Sequence, residues 1–361
     1  MLKQGRPWFD AYVKTNGYRL SENPDALLCF GLVPSLELGT TLNIPYFIDD
    51  GLLKRSRQVQ ELISSWTPVC RPIEVKTLAA TGRPIEERQS HAAPGLFFSG
   101  GVDSAYSLAM NQANNKFLIS IIGCDFALTE SEKVDHLINN VTAVAEDFGQ
   151  QVIFLETDLP TKMQRYLGWI EYHGSALAGF RHLLTPHITE MRVASSVDER
   201  GGWEIPWGSH PGIDPRLGTQ ANPIYLDGLC LRVNKIKHLA DSDSLLRHLR
   251  VCYHGGENCG RCSKCIFTWW CLRIHGIRDG LVEFQSPELL INPLHLGDDY
   301  MLRDFELLLA LAEKDQQFKP LCDALLATIN KYRKGKRTER FRSGFKSLYR
   351  VLRHQKRFAQ V

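Results

Sequence analysis

The chain has 361 residues and a formal net charge of only +3, with 43% hydrophobic and 23% charged residues. This composition predicts a soluble globular protein that is long enough for one large or two ordinary domains. The first residues carry charges but no apolar run, and no stretch approaches the ~20 apolar residues of a membrane span, which argues against secretion and membrane insertion. We therefore expect a cytoplasmic protein.

Residues 1–90 mix short apolar runs with Pro and Gly, and Lys54–Ser65 has the amphipathic spacing of a helix. These features predict a small N-terminal α+β segment. The polar stretch Thr81–Pro94 contains two prolines and a glycine, so it indicates a boundary before the next domain.

Residues 91–280 alternate between short apolar runs and helical stretches. The predicted strand and helix pairs are Gly95–Phe98 with Ala105–Asn114, Phe117–Cys124 with Glu130–Phe148, and Gln151–Leu155 with Ser175–Thr189, followed by a strand at Met191–Ser195. Apolar strands separated by helices predict an α/β fold with a doubly wound parallel sheet, whose successive loops meet at one edge. Residues 281–361 are predicted to form a helical C-terminal extension.

A glycine-rich loop follows the first of these strands. Two adjacent glycines allow positive φ and a close approach of the backbone to an anion, and the next helix begins with free amides and a favourable dipole. The serines can donate to phosphate oxygens, whereas Asp103 is suited to binding Mg²⁺ or capping the loop amides. An ordinary strand-to-helix turn is the alternative. The loop consists of Ser99, Gly100, Gly101, Val102, Asp103 and Ser104.

This loop resembles the Ser-Gly-Gly-x-Asp-Ser motif of the N-type ATP pyrophosphatases, also called the PP-loop family. It lacks the Gly-Lys-Ser/Thr ending of Walker-type loops. The resemblance implies a HUP-type fold with ATP as cosubstrate, bound by the loop, and with Mg²⁺. It also implies AMP and pyrophosphate as products, and an adenylated intermediate that ammonia or a sulfur donor attacks.

Four cysteines form a second motif, with six, two and two intervening residues: Cys252, Cys259, Cys262 and Cys265. Glycines between them allow turns that would bring four sulfurs to ~2.3 Å from one Zn²⁺. Because protein ligands fill all four positions, the site would be structural. Incidental buried thiols and an iron–sulfur cluster are the alternatives, and His254 or Cys271 could replace one ligand.

Together, the loop, the helix-opening Lys235 and the cysteine motif resemble the 7-cyano-7-deazaguanine synthase family from Gly95 to about Arg273. Asp125–Phe126, after the second strand, is similar to an Asp-Tyr pair of that family. The resemblance implies zinc at the cysteines, Asp103 and Lys235 as catalytic residues, and Asp125 as a nucleotide contact. It also implies conversion of a carboxylate through an adenylate to an amide.

Two family motifs are replaced in this chain. Ala127–Thr129 stands where the family carries Gly-Gln-Arg-His, and His173–Ser175 stands where it carries Gly-Arg-Asn. We therefore expect a divergent relative that adenylates a carboxylate or carbonyl oxygen of another small molecule and transfers the activated group to a nitrogen nucleophile. A thiolation-type RNA-modifying enzyme and a nucleotide-binding sensor without turnover are the alternatives.

Three further features bear on partners. His210 and Asp214 lie in a Gly- and Pro-rich stretch that could be a substrate loop or an ordinary one, and Arg232 could join Lys235 in neutralising pyrophosphate. Residues 331–357 contain twelve Lys or Arg and one acidic residue. Such a tail could bind RNA or another polyanion, or be a solvated helix face. The sequence leaves the oligomeric state, including a homodimer, open.

Overall fold

The computed structural model describes residues 10–67, 70–78, 88–164, 167–199, 207–252, 254–277, 280–285, 294–297 and 299–336, with the backbone of 2–3 and 6–7. The strands in this part of the chain are β1 (Leu2–Lys3), β2 (Arg6–Pro7), β3 (Val13–Thr15), β4 (Leu42–Asn43), β5 (Val75–Lys76), β6 (Ala93–Phe97), β7 (Phe117–Ile122), β8 (Gln151–Thr157), β9 (Ile188–Ala194) and β10 (Ile224–Asp227).

Eleven α-helices lie within the same described ranges. They are α1 (Asp25–Leu38), α2 (Asp50–Trp66), α3 (Val102–Asn111), α4 (Ser131–Asp147), α5 (Leu159–Met163), α6 (Trp169–Leu183), α7 (Arg232–Leu239), α8 (Asp243–Arg247), α9 (Ser263–Ile274), α10 (Asp299–Ala312) and α11 (319–336). A 3₁₀ turn, Asp214–Leu217, precedes β10.

The central sheet has six strands in the order β10-β9-β6-β7-β8-β3. The first five are parallel, and β3 pairs with β8 in the antiparallel direction. The chain builds β6, β7 and β8 toward one edge and then places β9 on the other side of β6. The prediction of an α/β fold with a mostly parallel sheet is therefore confirmed.

Helices cover both faces of the sheet because its strand residues alternate between two apolar cores. Leu96 and Leu118 point into a core shared with α3, α4, α7, α9, α10 and α11. Phe97 and Ile119, one residue further along each strand, point into a core shared with α1, α2 and α6. This alternation has the period of two residues that extended strands impose.

The N-terminal segment and the C-terminal extension pack on opposite faces of this sheet. In the N-terminal part, β3 extends the sheet and α1 packs along α6. In the C-terminal part, Phe305 and Leu325 are buried in the core that contains α7 and α9. Residues 81–87, in the predicted boundary, lie outside the described residues.

The predicted helix at Ser175–Thr189 is wrong in its bounds, since α6 begins and ends six residues earlier. Gly168 provides the extended N-cap, and Pro186 prevents the helix from continuing because its nitrogen has no hydrogen to donate. The strand that follows consequently begins at Ile188 rather than at Met191.

Candidate functional site

The glycine-rich loop joins the end of β6 to the start of α3. Gly100 adopts a φ of 75°, and Gly101 is the extended N-cap residue of α3. The Ser104 hydroxyl donates to the Gly101 carbonyl at 3.1 Å and accepts from the Ser99 amide at 3.3 Å. These bonds fold the loop tightly against the helix N-terminus, which is where phosphate groups bind in many nucleotide sites.

Arg250 holds the loop from the side of the cysteine motif. Its backbone amide donates to the Gly100 carbonyl at 2.8 Å, and its guanidinium donates to the Ser99 carbonyl at 2.7 Å. Two carbonyl oxygens that would repel an anion are thereby bound to a donor. The pattern of the sequence does not reveal this role, because Arg250 lies before the first cysteine and belongs to neither motif.

Asp103, in the first turn of α3, is paired with two cations of α7. Its carboxylate accepts from Arg232 Nη2 and from Lys235 Nζ, each at 2.7 Å. Burial alone would raise the pKa of Asp103, but the two cations outweigh burial and lower this pKa to about 2. Asp103 is therefore ionised at neutral pH.

Lys235 connects this ion pair to the end of a neighbouring strand. Its side chain is fully buried, and Nζ also donates to the Ser195 carbonyl at 2.5 Å, directly after β9. β6 and β9 are adjacent strands between which the order of the sheet reverses. The carboxyl ends of such a strand pair form the crevice in which open α/β sheets bind ligands.

Two more charged residues face the same place from other elements. Asp125 is exposed in the turn after β7. Burial lowers the pKa of Lys264, on the first turn of α9, as does the charge of Arg232, whereas Asp103 and Asp125 raise it. Lys264 thus lies within electrostatic range of the ion pair, although its place between two cysteines gave no indication of this role.

The four predicted metal ligands come together in one cluster. All four Sγ atoms of Cys252, Cys259, Cys262 and Cys265 lie within 4.8 Å of one another. Two of the pairs are 3.9 and 4.0 Å apart. Four sulfurs at ~2.3 Å from one tetrahedral ion would be separated by about 3.8 Å, so the cluster could hold a metal ion and is compatible with Zn²⁺.

Backbone geometry around the cysteines also suits bound thiolates. The amides of Arg261 and Cys262 both donate to Cys259 Sγ at 3.4 Å, and Gly260 adopts a φ of 68°. Asn258, which is buried, ties the segment together by accepting from the Val251 amide at 2.8 Å. A metal ion bound by all four sulfurs would have no open position for water, as in structural sites.

The stretch around Asp214 is buried rather than open. Asp214 is 1% exposed and accepts hydrogen bonds from the Ser209 hydroxyl at 2.8 Å and the His210 amide at 2.7 Å. Its burial raises the pKa to about 7, against the effect of these two hydrogen bonds. A Cβ on Gly174 would lie 2.0 Å from the Gly208 carbonyl oxygen, which shows how closely α6 packs on this stretch.

The remaining predicted features lie elsewhere. Residues 337–357 of the basic tail are outside the described residues, and residues 331–336 belong to α11. Within the described part of the chain, no helix combines the length and the apolar character that crossing a membrane requires.

Comparison of the chain with protein-family models, with curated proteins and with solved structures gave no match.

Proposed function

We propose that this chain is a divergent ATP pyrophosphatase of the PP-loop type, with a HUP-type fold. It binds ATP and Mg²⁺ at Ser99–Ser104 and cleaves ATP between the α and β phosphates. The activated oxygen belongs to a carboxylate or carbonyl group of a small molecule, which a nitrogen nucleophile then attacks. This is the type of reaction carried out by the 7-cyano-7-deazaguanine synthase family that the motifs resemble.

The pairing of Asp103 with Arg232 and buried Lys235 supports the proposal most strongly. Two cations share one carboxylate beside a glycine loop and a helix N-terminus. Both cations thus lie where the dipole of α3 also favours an anion. A loop that served only as a turn would have no need of a fully buried lysine.

In the proposed reaction, the substrate oxygen attacks the α phosphorus. The new oxygen–phosphorus bond forms as the bond to the bridging oxygen of pyrophosphate breaks, and pyrophosphate leaves with that electron pair. Lys235 and Arg232 would stabilise the charge that develops on pyrophosphate. An ammonia nitrogen then attacks the activated carbon, AMP leaves, and the nitrogen loses a proton to solvent.

Two metal ions are part of the proposal. Asp103 is the carboxylate of the loop that would hold Mg²⁺, by exchanging one of its two cation partners for the ion. The ion would supply charge neutralisation on the phosphates. Zn²⁺ would be held by the four cysteines. It would thereby fix Arg250, which precedes the first ligand, and Lys264, which lies between the last two, near the loop.

The test follows AMP and pyrophosphate from α-labelled ATP, with Mg²⁺ and a fractionated metabolite extract. We expect AMP from the wild-type protein and at least a 100-fold lower rate from Asp103→Asn, following the effect of lost electrostatic groups in other enzymes, about 10²–10³. Asp323→Asn is the matched control, since Asp323 forms an exposed ion pair with Lys319.

Other products would lead to other conclusions. ADP in place of AMP would overturn the α–β cleavage, as would equal rates for wild type and Asp103→Asn. AMP formation that depends on added RNA would favour the RNA-modifying alternative. ATP binding without any product in the extract or with RNA would favour the sensor.

A further inference from the structure

One face of α10, in the C-terminal extension, lies against the charged site. Tyr300, Arg303 and Asp304 share this face because they are three and four residues apart. Arg303 forms an ion pair with Asp198, in the segment after β9, at 2.7 Å. Asp304 Oδ1 accepts from the Val233 amide at 3.0 Å and so caps the first turn of α7. These contacts join the extension to the segment after β9 and to α7, the helix that contains Lys235.

Two hydrogen-bond donors in this region are buried without a partner among the described residues. They are the Tyr300 hydroxyl and Arg232 Nε. Another nitrogen of the same guanidinium, Nη2, donates to Asp103. Burial raises the pKa of Tyr300, as do the charges of Asp103 and Asp304, so the hydroxyl keeps its proton. A buried polar group that makes no hydrogen bond destabilises the fold. Tyr300 and Arg232 each shift the pKa of the other, so the two side chains lie within electrostatic range, and two such donors in one region indicate a missing acceptor.

We propose that Tyr300 Oη and Arg232 Nε form a subsite for an oxyanion, either a phosphoryl oxygen or a carboxylate oxygen of a bound ligand. An oxyanion is favoured because both groups are hydrogen-bond donors and because one of them belongs to a guanidinium, whose hydrogen bonds to charged oxygens are stronger than those between neutral groups. Both donor atoms are covered in the ligand-free chain, so binding requires a shift of α10 or of the Arg232 side chain. The subsite deepens the proposed function. The identity of its ligand rests on that function, whereas the subsite itself rests on the two donors.

The test compares the wild-type chain with Tyr300→Phe, which removes only the hydroxyl. Tyr332→Phe is the matched control, because the Tyr332 hydroxyl already has a partner, Asp299 Oδ1, at 3.0 Å. Calorimetric titrations use ATP with Mg²⁺ and inorganic pyrophosphate as phosphoryl probes. Benzoate and acetate, added to protein already saturated with ATP, are the carboxylate probes. The melting temperature of each variant is measured without ligand.

We expect one class of probe to bind Tyr300→Phe about tenfold or more weakly, as for the loss of a hydrogen bond to a charged group, while Tyr332→Phe binds like wild type. The class affected identifies the source of the oxyanion. The melting temperature of ligand-free Tyr300→Phe should equal or exceed that of wild type, because the lost hydroxyl has no partner to leave behind. A purely structural hydroxyl would instead lower it.

Unchanged affinity for all four probes in Tyr300→Phe would overturn the subsite, as would a melting temperature several degrees below wild type. Such results would leave ATP cleavage by the wild-type chain untouched. Conversely, an affinity for pyrophosphate that depends on Tyr300, in a protein that forms no AMP, would retain the subsite and overturn the proposed reaction.

Discussion

Asp103 and Asp214 are both largely withdrawn from solvent, yet their surroundings give them opposite proton affinities. Asp103 lies between two cations, and its pKa falls to about 2. Asp214 accepts hydrogen bonds from a hydroxyl and an amide but has no ion pair among the described residues, and its pKa rises to about 7. Burial acts in the same direction on both carboxyl groups, so the cations decide the difference.

The contrast assigns different tasks to the two regions. An ionised carboxylate in the glycine-rich loop holds two cations beside a helix N-terminus. A carboxyl group with a pKa near neutrality, enclosed by Ser209, His210 and Gly174, instead fixes the conformation of its own loop. The same residue type thus holds two cations in one region and shapes its own loop in the other.

Metal removal should produce the largest loss of stability. Within the molecule, this loss should affect the region around Asp103 more than the region around Asp214. Binding of a structural Zn²⁺ contributes on the order of 10 kcal/mol, and here it would anchor Arg250 and Lys264 against the loop. We expect one metal ion per chain. Strong chelation should lower the melting temperature, and hydrogen exchange should accelerate over residues 99–104 more than over residues 207–217.

Two cysteine variants provide the control for chelation. Cys262→Ser should reproduce the effect, whereas Cys322→Ser should retain the metal, because Cys322 is buried in α11 away from the cluster. Metal-free protein with unchanged loop exchange and full affinity for ATP would show that the cluster does not support the site.

Removal of one of its two cations should raise the pKa of Asp103 toward that of Asp214. Lys235→Met would leave the Ser195 carbonyl without this donor and Asp103 with Arg232 alone, at a cost of about 3–5 kcal/mol in the free energy of unfolding. Lys319→Met, in an exposed pair, should cost no more than about 1 kcal/mol. Denaturant titrations measure both values, and equal values would contradict the importance of the buried pair.

The pH dependence of Lys235→Met gives a second measurement. Asp103 has a depressed pKa, so its stabilising contribution is present above the unfolded value near 3.8 and is lost as pH falls through about 2. Lys235→Met should therefore lose less stability than wild type on acidification over that interval. Parallel acid profiles for the two proteins would contradict the lowered pKa.

The sequence predicted the parts of the site that are local in the chain. Gly100–Ser104 and the four cysteines are short motifs in which backbone freedom and ligand spacing indicate the chemistry directly. Arg250, Lys264 and Tyr300 could not be identified in the same way, because their positions depend on how the cysteine segment and α10 pack. Lys235 was predicted from resemblance, and the structure adds its burial and its bond to Ser195.

The fold shows the same division. Apolar runs of the right length predicted β6, β7 and β8, because a strand buried on both faces needs little more than a continuous apolar segment. The bounds of α6 depended on Gly168 and Pro186, whose effects compete with the helical periodicity. The addition of β3 to the sheet edge depends on pairing with β8, more than 100 residues away, which no local pattern records.

Asp214→Asn should change the free energy of unfolding by a moderate amount, and the sign of this change should depend on pH. Because its folded pKa of about 7 lies above the unfolded value of 3.8, Asp214 contributes stability below about pH 4 that is lost as pH rises through 7. Asn imitates the protonated form, so at pH 8 the variant should be more stable than wild type by up to about 4 kcal/mol, at about 1.4 kcal/mol per pKa unit. Thermal unfolding from pH 5 to pH 8 measures this, and a variant less stable at pH 8 would indicate a cation near Asp214.

The smallest effect on stability should come from Gly100→Ala, and here the effect on binding separates the two interpretations of the loop. Gly100 and Gly149 have positive φ values of 75° and 61°, so Ala at either position should cost about 1 kcal/mol. A Cβ has no neighbour within 4 Å at Gly149, and its nearest neighbours at Gly100 lie at 3.5 Å, so neither substitution creates a clash. If the loop binds phosphate, only Gly100→Ala should also weaken ATP binding, because its Cβ would stand in the loop itself. Equal ATP affinity in both variants would mean that this glycine serves the turn alone.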